Sequence, residues 1–587
     1  MHLADSSHNS LSKKPRVEPT FAAEHKEDAA EIFDEVISYG PPGKYYCVIN
    51  GQQLGTDDFQ GFKGVFASRF VTYCAAFAAL GGFMFGYDQG GKLYESTNDL
   101  FTFINRPLVI SVTLVMSEFL DRFPEVSDDA AGSGFKKGLM TAMIPLGAFI
   151  GALNMGWLAD WISRKRSLIV VVVIFIVGSS IQTAAINCDM LIAGRFFGGV
   201  GIGMLSMVVP VYISDISPPE IRGTLLVFEE LSNVVGIIVA FWITYATKDI
   251  PNHWSWQFLL GIGAIFLPYS PRWLASKDRH EESLATLARL RGLPQEDPRV
   301  RREWIDIVAE ARFQAMVLKE RHPRLTASPA ISDKIKLEVV SWTDCFKTGC
   351  WRRTHVGVGI QAWQQWVGIN ALIYYSPTLF ATMGLDYNMQ LLMSGALNCV
   401  QLMGVLSSLW TLGRFGRRNI LLLGSVCMCL SHVVIAILVG KFSHDWPSYV
   451  TEGWVSVAFL FAFMLSFGFS WGPIPWALPS EVFPSSLRAK GVAISTCGSR
   501  LWNFIIGLIT PPLIEGTGFG TCVFFATFCL GSLLWTSFCV PETNGRTLEE
   551  MDKVFHDRTG ASDIERKSRI LQEFIEEQRG SGLGQDI

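Results

Sequence analysis

The chain has 587 residues, of which 49% are hydrophobic and 12% aromatic, and its mean hydropathy is positive, a balance too apolar for an ordinary soluble protein. The net charge of −4 is small and unclustered, which argues against nucleic-acid binding and against a polybasic membrane-surface role. The twelve cysteines are scattered, many inside apolar runs (Cys74, Cys399, Cys427, Cys529), where they read as small packing residues rather than a disulfide framework. Cys345 and Cys350 lack the further ligands that a zinc site needs, so neither a metal nor a cofactor is expected.

Residues 1–68 read as a largely disordered tail, and residues 1–60 contain no apolar core of a signal peptide, so the first span is expected to begin insertion itself. Apolar runs near the ~20 residues that cross hydrocarbon fall at about 69–88, 138–158, 167–187, 191–213, 225–247, 254–269, 354–377, 389–411, 419–440, 454–478, 490–513 and 519–540. Twelve spans put both termini on one side. Basic clusters follow spans two (Arg164, Lys165, Arg166), eight (Arg414, Arg417, Arg418) and ten (Arg488, Lys490), and the 270–353 connection is rich in Arg and Lys, so the positive-inside rule assigns that side to the cytosol. The expected architecture is an all-α membrane protein. Its six-helix halves are 69–269 and 354–540, joined by a cytosolic linker at 270–353 whose amphipathic runs form short helices, with a cytosolic tail at 541–587.

Span seven carries the unusual chemistry. Gln361, Gln364, Gln365 and Asn370 stand where a lipid-facing helix would carry leucine, and their spacing puts them roughly on one helical face, turned to a shared polar space. A neutral polyhydroxylated ligand suits such a face, because an amide both donates and accepts hydrogen bonds.

The two halves repeat each other. Asp160 with Arg164 after span two matches Gly413 with Arg417 after span eight, and Asp215 with Arg222 after span four matches Glu481 with Arg488 after span ten. These residues predict a lattice of salt bridges that closes the cytosolic mouth and breaks when it opens, with the ligand held between the repeats.

Nine motifs in order carry a family resemblance: GYDQG at 86–90, GRFFGGVGIGML at 194–205, SPPEIRG at 217–223, PYSPRWL at 268–274, QQWVGIN at 364–370, GRFGRR at 413–418, WGPIPW at 471–476, EVFPSSLRAKG at 481–491 and PETNGRTLEEMD at 541–552. Over about residues 69–555 the chain resembles the sugar-porter family of the major facilitator superfamily, with the flavour of fungal hexose transporters. The resemblance implies the major facilitator fold and transport of a monosaccharide, a hexose such as glucose, by alternating access. It implies that Gln364, Gln365 and Asn370 bind sugar hydroxyls, that Trp476 stacks on the pyranose, that Tyr374 and Tyr375 line the outer gate and that Asn503 adds an amide from span eleven. It also implies that Asp88 and Arg195 form a proton-coupling pair. The expected partners are a monosaccharide, a proton and the lipid bilayer, for a monomer in the plasma membrane that is not an enzyme; the rival readings are a sugar sensor without flux and a facilitator or degenerate non-transporting copy.

Several positions depart from the family pattern. Glu230 replaces the amide of span five, and Ser499–Arg500 replace an Asn–Trp pair in span eleven. An arginine at that depth costs roughly 2.5–3.5 kcal/mol on insertion scales unless it finds a partner. Gly413 removes one lattice acid, span six is short, and an insertion follows span one near residues 91–107.

Overall fold

A computed structural model describes residues 47–49, 52–54, 124–126, 132–183, 185–216, 230–239, 241–242, 269–291, 293–328, 330–347, 350–484, 486–543, 548–555 and 559–580. Predicted span one with Asp88, the insertion at 91–107, Arg222 and nearly all of predicted span six lie outside them. The chain divides into two compact units, residues 1–57 with 571–587, and residues 58–570. In the first, Cys47–Ile49 and Gln52–Leu54 form an antiparallel pair with Cys47 opposite Leu54, a small addition to the helical class read from the sequence. The intervening Asn50-Gly51 is the dipeptide that two-residue hairpins favour.

The second unit is a helical bundle. Among its described residues eight segments are long and apolar enough to cross a membrane: Ser133–Gly156, Arg164–Gln182, Cys188–Tyr212, Tyr387–Ser408, Arg417–Phe442, Val450–Val482, Arg488–Thr517 and Gly520–Cys539. They coincide with predicted spans two, three, four, eight, nine, ten, eleven and twelve, and Glu230–Val239 is a shorter apolar helix inside predicted span five. Span seven is absent from that set because it is not one helix. It consists of Trp351–Trp366 and Ile369–Thr382, separated at Gly368, whose φ of +97° lies in the left-handed region. A side chain there would meet the Phe525 ring as well as the backbone penalty, so this position accepts glycine for two reasons.

Small residues let the spans approach closely. Gly147 and Gly151 of span two face Gly199 and Gly203 of span four so tightly that a Cβ on Gly203 would stand 2.0 Å from the Ala148 carbonyl oxygen. This is the small-xxx-small packing by which membrane helices gain van der Waals contact without a hydrophobic driving force. Gly404 of span eight meets Gly468 of span ten in the same manner. Away from these seams the apolar side chains turn outward: Leu423, Leu430 and Ile437 of span nine, and Leu530, Leu534 and Phe538 of span twelve, are exposed at helical spacing and form a lipid-compatible surface.

The 270–353 connection is helical, as its amphipathic runs predict. Pro298–Arg321 starts on Asp297, which accepts from the Arg299 amide, with proline at the first helical position. The connection is fastened to the bundle by Lys490 on Glu338 and by Arg321, which donates to Ser486 Oγ at 3.2 Å; within the connection His322 Nε2 lies 2.7 Å and Lys347 Nζ 2.5 Å from the Asp344 carboxylate. Beyond span twelve the helix Leu548–Phe555 docks through Asp552, which takes Arg353 at 2.6 Å; Arg353, fully buried, also donates to the Val482 carbonyl at 2.7 Å.

Candidate functional site

The polar cluster is built from the prolines of span ten. Pro475 and Pro479 have no N–H, so the carbonyls four residues before them, Trp471 O and Pro475 O, lose their helical partners. Gln364 Nε2 donates to Trp471 O at 2.8 Å and to Gly472 O at 3.1 Å, and Gln361 Nε2 donates to Pro475 O at 2.8 Å. Two amides of span seven therefore replace the bonds that two prolines of span ten remove, and the span breaks into Val450–Phe469 and Ile474–Val482. Among the described residues the buried Oε1 of Gln361 has no partner.

The remaining groups bond to one another. Gln365 Nε2 donates to Ser499 Oγ at 3.1 Å and lies 3.4 Å from Gln364 Oε1, while Asn370 Nδ2 donates to Gln365 Oε1. Tyr374 Oη donates to Asn503 Oδ1 at 3.2 Å and Tyr375 Oη to the Gly507 carbonyl at 2.9 Å. Gln361, Gln364, Gln365, Asn370, Ser499 and Asn503 are all buried. The shared polar face read from the sequence is thus present, with one correction to its origin: the face crosses the break at Gly368, and Asn370 meets Gln365 across that break instead of along an uninterrupted helix.

The two ionisable departures each have a neighbour. Arg500 is buried, with its guanidinium carbon 5.5 Å from the centre of the Trp476 ring, and half-buried Glu230 accepts from Asn233 at 3.5 Å. The aromatic face offsets part of the cost of a guanidinium at this depth. Half-buried Trp476 therefore presents its ring to Arg500.

At the basic end of the bundle the predicted pairs are rearranged. Asp215 forms an ion pair with Arg164, whose Nε lies 3.2 Å away, and accepts from Ser270 Oγ at 2.8 Å, while Glu481 pairs with Arg417 at 3.1 Å and accepts from Thr543 Oγ1. The partner of Glu481 is thus Arg417 from the end of span eight, not the expected Arg488. The helix Ile474–Val482 ends just beyond Glu481, and half-buried Arg488 opens span eleven instead. The side chain of Asp160 is outside the described residues, as is Arg222. Arg195 is buried and donates through Nε to the Met140 carbonyl at 2.8 Å; its expected partner Asp88 lies outside the described residues.

Two features escaped the sequence reading. The first is the pairing of Gln361 and Gln364 with proline-orphaned carbonyls, which counting four back from Pro475 and Pro479 would have exposed. The second is Glu542, whose carboxylate accepts from the backbone N–H groups of Arg417 and Arg418 at 2.9 and 3.1 Å and so caps the start of span nine.

Residues 74–555 match the family model described as sugar (and other) transporter. The low-affinity glucose transporter HXT3 of Saccharomyces cerevisiae is 30% identical over 84% of this chain and 83% of its own length. A quinate permease of Neurospora africana is 31% identical over 84% of this chain and 90% of its own length. Among solved structures, the xylose transporter XylE from E. coli, in a partially occluded inward-open conformation, superposes with a TM-score of 0.61 at 21% identity, covering 82% of this chain and 100% of that one.

Proposed function

The chain belongs to the sugar transporter family of the major facilitator superfamily, and from that premise we propose that it carries a monosaccharide, a hexose such as glucose, across the membrane by alternating access. The observation that carries this reading is the buried amide and hydroxyl cluster shared by spans seven and eleven. Gln365, Asn370, Ser499, Tyr374 and Asn503 satisfy one another in the ligand-free chain, and each of those bonds can be exchanged for a sugar hydroxyl without stranding a polar group. The lattice at the basic end supplies the inner gate: Arg164–Asp215 and Arg417–Glu481 must part for the cytosolic mouth to open.

Proton coupling is part of the proposal, through Asp88 and Arg195: protonating the acid releases the arginine. It is supported by burial of Arg195 inside the bundle and by a related fold in a protein described as a proton:xylose symporter. We place the chain in the plasma membrane as a monomer with both termini cytosolic.

Uptake of radiolabelled hexose in a transporter-null yeast tests the whole. Gln365→Ala is the informative variant, because the Gln365 side chain bonds only within the cluster whereas Gln361 and Gln364 hold the broken helix. It should weaken uptake about tenfold while surface expression is kept, the scale set by one or two lost hydrogen bonds. Uptake in wild type that survives collapse of the proton gradient unchanged removes the Asp88–Arg195 coupling.

A further inference from the structure

The first helix of span seven grips the second helix of span ten at both ends. On Trp351–Trp366, the residues Arg353, Gly357, Gln361 and Gln364 recur at spacings of four, four and three, and so share one face. At one end of that face Gln361 and Gln364 donate to the carbonyls of Pro475, Trp471 and Gly472. Between the ends, a Cβ on Gly357 would stand 2.9 Å from the Phe483 ring and 2.7 Å from Ser495 Oγ, so the elements meet there with no room for a side chain. At the other end Arg353 donates through Nη1 to the carbonyl of Val482, the last residue of Ile474–Val482, at 2.7 Å. A guanidinium suits this place, because the closing carbonyls of a helix lack partners within it and carry the negative end of its dipole.

Arg353 is fully buried, so its charge must be compensated inside the protein. Its Nη2 lies 2.6 Å from Asp552 Oδ1, and its guanidinium carbon 5.1 Å from the centre of the Phe555 ring. Both residues belong to Leu548–Phe555, the helix beyond span twelve, which buries Met551, Asp552 and Phe555. We propose that Arg353 is a positioning residue for the transport site, and that the helix beyond the last span acts on the site with it, through Asp552. This rests on the reading of the amide cluster as that site. Asp552 fixes where the planar fork sits, and the fork then fixes the end of Ile474–Val482. Holding that end sets the register of the helix that carries Trp476 and the carbonyl taken by Gln361. Gln364, seated on span ten beside it, lies 3.4 Å from Gln365 in the cluster. A site held in this way has less order to gain when the ligand enters, which is how preorganisation raises affinity.

Uptake of radiolabelled D-glucose by the full chain in transporter-null yeast tests this, with KM and Vmax measured at equal surface amount. Two variants keep the buried charges balanced. Arg353→Lys retains a cation opposite Asp552 and replaces the two-armed fork by a single ammonium. The combination of Arg353→Gln with Asp552→Asn removes both charges together, which a buried pair tolerates better than the loss of one. Each should raise KM about tenfold, the scale of one or two lost hydrogen bonds. Vmax should change by less than about twofold, because Arg164–Asp215 and Arg417–Glu481 are left in place. A residue that only filled and neutralised a buried position would be rescued by these variants, so a wild-type KM in either one overturns the proposal. A lower Vmax at unchanged KM also overturns it. Absence of uptake by the wild type removes the transport reading and this proposal with it, whereas wild-type uptake with an unmoved KM in the variants removes the proposal alone. Should neither variant reach the surface, Asp552→Glu decides, since it keeps both charges and lengthens the strut by one methylene: a raised KM supports the proposal and an unchanged one ends it.

Discussion

The two halves meet the basic end of the bundle with the same skeleton and different chemistry. In each, an acid closing the fourth or tenth span takes an arginine from the turn after the second or eighth span and a hydroxyl from the segment after the sixth or twelfth: Asp215 with Arg164 and Ser270, Glu481 with Arg417 and Thr543. The sequences PYS at 268–270 and PET at 541–543 supply the hydroxyls in register, and Tyr269 thereby corresponds to Glu542. In the second half Glu542 caps span nine through the Arg417 and Arg418 amides. In the first half Tyr269 stacks on Trp273, with Lys165 5.3 Å and Arg279 5.9 Å from its ring centre. The residue before the arginine differs as well: Gly416 at φ +79° and ψ 156°, Ser163 at φ +92° and ψ 145°. One half meets the left-handed turn with glycine and a carboxylate cap; the other holds a strained serine and relies on cation–π contact. A duplicated gate can keep its geometry while its cohesion is redistributed among interactions of different strength, so the halves need not release at equal cost.

The largest expected effect breaks the stronger side. A Cβ on Gly416 would stand 2.4 Å from a Glu542 carboxylate oxygen, in a backbone conformation that penalises any side chain. Gly416→Ala should therefore destabilise by about 3 kcal/mol, the sum of left-handed strain and a displaced cap, read as a lower melting temperature of the purified protein. Next comes Glu542→Ala, which leaves the Arg417 and Arg418 amides uncapped and should cost about 1–2 kcal/mol. Tyr269→Ala at the corresponding place should cost less, and equal losses from the two variants would erase the distinction between the halves.

The linker offers a pH test of its own internal node. Burial pushes the Asp344 carboxyl up, but the Lys347 and His322 hydrogen bonds outweigh it and hold the group below its ordinary value of 3.8. A depressed carboxylate stabilises the fold above its unfolded value and loses that contribution as pH falls through the folded one. That node should thus be intact at neutral pH and fail only below about pH 4. Asp344→Asn should remove that acid limb from a proteolysis profile of the 270–353 connection, with a loss at neutral pH of about 1 kcal/mol.

How much of this was legible in the sequence follows from which interactions are local. Span positions depend on hydropathy alone, so the eight long spans fall where the apolar runs put them. The break in span seven did not show, because Gly368 inside an apolar run carries no signal until its φ and the Phe525 ring against it are known. The lattice acids and arginines were readable as a repeat, but their partners were not. Glu481 and Arg488 look paired by separation, whereas Arg417, far away in sequence, is the arginine that reaches Glu481. Glu230 and Arg500 were visible as departures, but that Arg500 lies against the Trp476 ring of span ten shows only in three dimensions.

The smallest expected effect sharpens the comparison on its weaker side. Ser163 occupies a left-handed backbone conformation that its counterpart Gly416 adopts without a Cβ penalty. Ser163→Gly removes that penalty, worth about 1 kcal/mol, and returns part of it by widening the conformational freedom of the unfolded chain, worth about 0.5 kcal/mol. The net expectation is a stabilisation of about 0.5 kcal/mol, which is opposite in sign to the usual effect of introducing glycine. Because the substitution leaves Arg164, Asp215 and Ser270 in place, it tests the backbone difference separately from the electrostatic one. A lower melting temperature for Ser163→Gly would mean that the serine side chain contributes more than its backbone conformation costs, and the strain assigned to this half would have to be withdrawn.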